Sequence, residues 1–374
     1  MKELLDGNES AAYAVRLSKV KCIPCFPITP TTSMIELFAK WKTDGLLNAE
    51  FSQLESEHSV MSAAFGSALT GARTFTATSS QGLLLMHEIL YNVSGCRLPI
   101  VMANVSRGVS APLTLWCDHG DILAVRDSGW IIFMSETNQE VMDSVIMSYK
   151  IAESTLLPVI VNMDGFIQSY TRTEVEVPSQ KLVDGFLPSI NLRFKINMDK
   201  PVTYAAPAME DYMFYKSQLH KAHLDSFKAI KRVQAEWSRL TKRKYDLAES
   251  YRLRDAESAI VMMGANSTIC KAAVDALRKK NKKVGLLRIR LYRPFPEKEI
   301  SNALKNVKNI AVLDQNISPG CGGILYNDIR SLLKKSRVSD YVFGLGGKSI
   351  SQKEIIEVFN DMSKSSKEEK KWLM

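Results

Sequence analysis

Short apolar runs alternating with helical patterns constrain this chain more than any other feature. From residue 10 to 165, strand-like runs at 21–28, 46–51, 73–79, 98–105, 130–136 and 157–165 are separated by helical patterns at 34–42, 57–71, 82–94 and 138–154. The strand runs read as continuously apolar rather than alternating, as strands do when both faces of their sheet are covered. Helices between such strands imply parallel pairing, so the first half is predicted to be a doubly wound α/β domain.

Residues 166–257 break the rhythm. Segments 180–189 and 202–211 are loop-like, and 212–252 reads as one or two charged helices, together a connector packed across domains. Alternation resumes with strands at 258–266, 283–295, 309–316 and 340–347 and helices at 267–281, 297–306 and 324–335, followed by a last helix. A chain of 374 residues is long for one core. The expected division is 1–255, with the connector from about 166, and a smaller α/β domain at 256–374.

At 45% hydrophobic and 24% charged residues, the composition has enough apolar surface for folded cores and excludes a disordered chain. The net charge of +9 is compatible with nucleic acid, acidic proteins or anionic small molecules. Lysine and arginine concentrate at 228–244, 278–283 and in the tail, with no basic stripe interleaved with aromatics, so nucleic acid is not expected. The six cysteines are scattered apart from Cys22 and Cys25, which lie in a β-type run and read as buried structural thiols. There is no apolar leader and no window of roughly 18 apolar residues, which points to a cytoplasmic protein without a membrane span.

Open parallel sheets bind ligands beyond the carboxyl ends of their strands. The loops there carry "PITPTT" (27–32), "ESEHS" (55–59), "TSSQG" (78–82) and the long segment 104–121. Thr29 lies between Pro27 and Pro30, which restrict its backbone, and it reads as a helix N-cap region or a fixed hydroxyl. Arg107 directly follows a buried strand and is suited to bidentate capture of a carboxylate, or is a surface arginine. Glu57 is a first-turn carboxylate favoured by the helix dipole, or a functional group facing the crevice. His58, Asp118, His119 and Asp121 match no metal spacing and read as hydrogen-bonded loop supports. "TSSQG" is neither a phosphate loop nor a dinucleotide fingerprint, and hydrolase motifs are absent.

Taken together, "FPITPTT", the stretch 55–90, the stretch 98–130, "LPVIVNMDGF" and "VDGFLP" resemble the alpha subunit of the pyruvate (2-oxoacid):ferredoxin oxidoreductases. The resemblance continues more loosely through "YAAPAMEDYMFYKSQLHKAH", "VGLLRIRLYRPFP" and "VLDQNISPGCGG". It implies a thiamine-diphosphate-binding (pyrimidine-type) domain followed by a transketolase-C-terminal-like domain. The implied reaction is oxidative decarboxylation of a 2-oxoacid to an acyl-CoA, with electrons passed to ferredoxin.

Residue by residue, the resemblance implies that Glu57 hydrogen-bonds the aminopyrimidine and favours the tautomer that deprotonates the thiazolium carbon. Gln81 falls among the implied cofactor-binding residues. Thr29 and Arg107 fall on pyruvate-binding positions, Arg107 pairing with the carboxylate that leaves as carbon dioxide. A threonine at position 29 implies a monocarboxylic substrate, with "VSAPLTLW" (109–116) as a wall for its acyl group. Phe26 departs from the tyrosine usual before the proline.

The Gly-Asp-Gly…Asn stretch that holds Mg²⁺ and the diphosphate is missing, as are ferredoxin-type cysteine clusters, so no metal site is expected on this chain. The resemblance therefore implies a hetero-oligomer. A beta subunit would carry the diphosphate and Mg²⁺ half, gamma and ferredoxin-like delta subunits would accompany it, and iron–sulfur clusters would sit on partner chains. Pyruvate, CoA and ferredoxin are the implied reactants, and the positive charge suits acidic partners or CoA phosphates.

Overall fold

The structure is a computed structural model that describes residues 1–192, 195–197, 199, 210–364 and 367–374. The first unit runs β1 (Lys2–Leu5), α1 (Gly7–Leu17), β2 (Cys22–Cys25), α2 (Thr32–Thr43), β3 (Glu50–Gln53), α3 (Glu57–Leu69), β4 (Phe75–Thr78), α4 (Ser80–Leu85), α5 (His87–Gly95), β5 (Val101–Ser106), α6 (Gly120–Ala124), β6 (Ile131–Met134), α7 (Asn138–Thr155) and β7 (Val159–Asp164). Its five-stranded sheet has the order β12-β6-β7-β5-β4, where β12 (Leu291–Arg293) comes from far along the chain. Strands β6, β7, β5 and β4 are mutually parallel, and every residue of β5 and β7 is buried. That double burial is why these strands lack an alternating pattern. The parallel pair β2 and β3 continues beside β4 through a bridge from Cys22 to Thr74.

Helix starts follow local chemistry. Ser56 caps α3 by accepting from the Ser59 N–H, and Thr137 caps α7 by accepting from the Glu140 N–H. Helix α7 lies deep in the protein, with thirteen of its eighteen residues buried, and packs against α1 and the later α9 (Tyr212–Thr241).

Between the two alternating halves come β8 (Thr173–Glu176), antiparallel to β1, and α8 (Gln180–Phe186). Segment 202–211, expected to be a loop, lies almost wholly outside the described residues. The expected one or two helices of 212–252 resolve into the single helix α9, and the end of that segment, Ala248–Tyr251, is a strand instead. This thirty-residue helix buries Ile230, Val233 and Trp237 on one side and leaves its lysines and arginines largely outward.

The second sheet contains β9 (Ala248–Tyr251), β10 (Ser258–Met262), β11 (Val284–Ile289), β13 (Asn309–Asp314), β14 (Arg337–Val342) and β15 (Lys370–Trp372) in the order β15-β14-β13-β10-β11-β9. Helices α10 (Ser267–Arg278), α11 (Glu297–Leu304), α12 (Ile324–Leu332) and α13 (Gln352–Lys364) accompany it. All its pairings are parallel except β9 against β11. Part of the basic tail thus closes the sheet as β15.

Three expectations are corrected. The run 283–295, read as one strand of the second unit, divides at Arg290: β11 stays in the second sheet, while β12 joins the first as an antiparallel edge beside β6. The helix read at 82–94 begins at Ser80 and breaks at Met86 into α4 and α5. The strand read at 46–51 begins only at Glu50, because residues 44–49 turn through Gly45 at positive φ while Leu47 and Ala49 are tucked inward.

Charge locks the two units together. Glu140 accepts from Arg288 Nη1 at 3.0 Å and from Arg290 Nε at 2.5 Å, all three residues being buried, and Arg290 Nη2 donates to Ser144 Oγ at 2.7 Å. The Arg290 guanidinium also lies between the rings of Phe133 and Tyr245, 4.8 Å from each centroid.

Candidate active site

The loops after β2, β3, β4 and β5 meet at one rim, as the sheet order requires. Arg107 stands at its centre, only 6% exposed, with Nη1 donating to the Thr29 carbonyl at 2.6 Å and Nη2 to Gln81 Oε1 at 2.7 Å. Nε is buried and has no hydrogen-bond partner among the described residues. Two of the five guanidinium N–H groups thus fix the side chain, leaving three for another acceptor. Burial draws the guanidinium pKa down, opposed by the charges of Asp121 and Glu57.

Glu57, the first residue of α3, is 7% exposed. Its carboxylate packs against Gly82, where a Cβ would lie 2.4 Å from Glu57 Oε1 and 2.6 Å from Thr78 Oγ1. Any side chain at position 82 would displace that carboxylate. No described residue donates a hydrogen bond to either carboxylate oxygen of Glu57. A carboxylate this withdrawn from water, without an internal donor, is fitted to receive one from a ligand.

Gln81 is held on both ends of its amide. Oε1 accepts from Arg107 and lies 2.5 Å from Ser80 Oγ, while Nε2 donates to Ser110 Oγ at 2.6 Å. Thr29 is half-buried and ends the 26–29 segment; helix α2 begins at Thr32 with Thr31 at its cap, so Thr29 is not the cap residue. Its hydroxyl makes no hydrogen bond to any described residue.

Beneath Arg107 lies Asp121, fully buried. It accepts from Ser106 Oγ at 2.6 Å, the Ser80 N–H at 2.9 Å, Asn104 Nδ2 at 3.2 Å and the Arg107 N–H at 3.2 Å. Burial pushes its pKa up while these donors pull it down. The expectation of loop support holds here. It also explains why the serine-rich turn after β4 is no anion site: the N–H of Ser80 is engaged by the chain's own carboxylate.

His119 and Asp118 serve similarly, His119 Nε2 being hydrogen-bonded to Asp164 Oδ1 and Asp118 Oδ1 accepting from the Gly120 N–H, whereas His58 lies apart, half-exposed and 3.7 Å from Glu88. Among the described residues no cluster of histidine, cysteine and acidic groups could hold a metal ion. Cys117 is buried, and burial holds its thiol pKa well above the ordinary value. The sequence carried no signal for Ser110 or Asp164 as members of this network.

Of the segment expected to wall the acyl group, Leu113, Leu115 and Trp116 are exposed. Trp116 packs against Phe166, with ring centroids 4.6 Å apart, and Phe166 stacks in turn on Tyr170.

Residues 13–235 match the family model described as pyruvate flavodoxin/ferredoxin oxidoreductase, thiamine diphosphate-binding, and residues 256–355 match pyruvate:ferredoxin oxidoreductase core domain II. The chain belongs to the pyruvate:ferredoxin oxidoreductase family. It is 45% identical to the pyruvate synthase subunit PorA of Methanothermobacter thermautotrophicus, covering 95% of this chain and 94% of that one. Against PorA of Methanocaldococcus jannaschii the identity is 43%, over 99% and 97% of the two chains. The ketoisovalerate oxidoreductase subunit VorA of Pyrococcus furiosus is 41% identical over 97% of this chain and 94% of its own.

Among solved structures, a 2-oxoglutarate:ferredoxin oxidoreductase from Magnetococcus marinus superposes with a TM-score of 0.75 at 20% identity, covering 96% of this chain and 65% of that one. That likeness bears on the fold alone. This member of the family therefore pairs a thiamine-diphosphate-binding α/β domain with a second α/β domain, and in the described residues no helix is long and apolar enough to cross a membrane.

Proposed function

We propose that this chain is the alpha subunit of a pyruvate:ferredoxin oxidoreductase, converting pyruvate and CoA to acetyl-CoA and carbon dioxide with reduction of ferredoxin. The observation that carries the reading is the convergence of Thr29, Gln81 and Arg107 by direct hydrogen bonds beside a nearly buried Glu57 that has no hydrogen-bond donor among the described residues. The fit to thiamine diphosphate rests on that carboxylate and on the cradle at Gly82.

When bound, thiamine diphosphate supplies the nucleophilic carbon that attacks the 2-oxo group and the electron sink for decarboxylation. Glu57 would accept a hydrogen bond from the pyrimidine side and hold the proton there. Its burial would make that bond stronger than it would be in water. Arg107 orients the substrate carboxylate through the N–H groups left free by Thr29 and Gln81. Because the carboxylate loses its charge on leaving, this pairing serves orientation rather than stabilisation of the product side. The Thr29 hydroxyl is available to the substrate oxygens.

The diphosphate and Mg²⁺ half of the site would come from a beta subunit. Iron–sulfur clusters would sit on partner chains, with gamma and delta subunits completing a cytoplasmic assembly. The relatives' designation as subunits supports this reading. A second reading, a branched-chain 2-oxoacid as substrate, is favoured by the 41% identity to VorA.

Both readings are separated by anaerobic assay of the co-expressed complex with pyruvate and 2-oxoisovalerate, following CoA-dependent reduction of a viologen dye. Higher kcat/KM for pyruvate supports the first reading, and the reverse supports the second.

A further inference from the structure

The segment from Arg107 to Asp121 leaves the rim and crosses to the second unit before returning. Its neck is closed by the Gly108 N–H, which donates to the Trp116 carbonyl at 2.9 Å, and Ser106 Oγ, whose proton goes to Asp121, lies 2.8 Å from the Asp118 carbonyl. Gly108 itself leaves no room for a side chain, because a Cβ there would lie 2.5 Å from Thr114 and 2.7 Å from the Asp118 carboxylate.

In the second sheet, β11 lies on one side of β10 and β13 on the other. The strand order therefore reverses at β10, which opens a crevice at the carboxyl ends of β10 and β13, the usual ligand position in open sheets. Here the first unit's own loop occupies it. The His119 N–H donates to the Gln315 carbonyl just after β13 at 2.8 Å. Asp118 Oδ2 accepts from the Gly346 N–H at 3.1 Å.

His119 Nε2 is hydrogen-bonded to Asp164 Oδ1 at 2.8 Å, and Asp164 Oδ2 accepts from the Ala265 N–H just after β10 at 2.7 Å. Both side chains are buried. Gly264, at φ +75°, allows this approach, since a Cβ there would lie 2.5 Å from Asp164 Oδ2.

Two residues beyond His119, Asp121 accepts the backbone N–H of Arg107. The docked end of the loop is thus one carboxylate away from the arginine at the rim. A shift of the loop at the crevice moves Asp121, and with it the backbone that aims the guanidinium.

We propose that His119 is a positioning residue for Arg107, and that the second unit sets the geometry of the 2-oxoacid site through it. The proposal rests on the assignment of Arg107 to the substrate carboxylate. A purely structural His119 would lower stability without a selective effect on substrate affinity.

The test uses the co-expressed complex and compares His119→Ala, His119→Gln and Arg107→Lys with the parent for KM and kcat of pyruvate. Amide hydrogen exchange over 108–120 is measured in parallel on the same proteins. Glutamine places an amide N–H near the position of Nε2 and keeps the bond to Asp164. Expected is a rise in KM of about tenfold for His119→Ala with kcat little changed, recovery in His119→Gln, and faster exchange confined to the loop. If Arg107→Lys raises KM while His119→Ala does not, or if alanine lowers kcat alone, the positioning role is overturned. An unchanged KM in Arg107→Lys overturns the assignment of Arg107, and the role of His119 with it.

Discussion

Arg107 Nη2 donates to Gln81 Oε1 across 2.7 Å, and Gln81 Nε2 donates in turn to Ser110 Oγ at 2.6 Å, so one amide fixes both the rim arginine and the loop beyond it. The side chain expected to bind cofactor is engaged with its own protein. Gln81→Leu should therefore act through Arg107, raising KM for the 2-oxoacid about tenfold while thiamine diphosphate content of the purified complex stays at the parental level. Loss of bound cofactor with unchanged KM would return Gln81 to a direct cofactor contact.

Arg290 is buried against Glu140, whose other guanidinium partner is Arg288. Arg290→Met leaves the buried carboxylate half-compensated and should cost about 3 kcal/mol, read as a lower urea midpoint. The double variant Arg290→Met with Glu140→Leu should recover much of that loss, because no buried charge is then left short of a partner.

The architecture was legible in the sequence to the extent that one force decided it. Largely apolar short runs such as 98–105 and 157–165, bounded by helical patterns, read as strands buried on both faces, and the helices between them favour parallel pairing. The division of 283–295 was not legible, because β11 and β12 are equally apolar and only tertiary pairing assigns each to its sheet. At the rim, the order of strands brought Thr29, Gln81 and Arg107 together as expected. The withdrawal of Glu57 behind Gly82, and the docking of His119 against the second unit, depend on contacts between distant segments and leave no local pattern.

Asp314, the last residue of β13, is fully buried, and burial pushes its pKa up to about 7, against the N–H of Tyr326 in the first turn of α12 that pulls it down. A carboxyl whose folded pKa lies above its unfolded value favours folding most fully at low pH, and that contribution is lost as pH rises through 7. Asp314→Asn should accordingly remove part of the fall in stability between about pH 4 and 7, on the order of 1–3 kcal/mol. Parallel thermal-melt profiles for parent and variant across that range would contradict the assignment.

Cys321 is exposed, whereas Cys25, Cys117 and Cys270 are buried with thiol pKa values raised by desolvation. Brief alkylation of the native chain followed by mass spectrometry should modify Cys321 first and leave those three intact until the protein unfolds. Early labelling of Cys117 would mean that the Arg107–Asp121 loop opens in solution.

The most direct test of the account is thiamine diphosphate content and pyruvate-dependent viologen reduction in the co-expressed complex carrying Glu57→Gln, measured without oxygen beside the parent. A complex of parental subunit composition that has lost at least about 100-fold in kcat would establish that the Glu57 carboxylate, and not the shape of the side chain, is what the chemistry requires. Parental activity in the glutamine variant would contradict it.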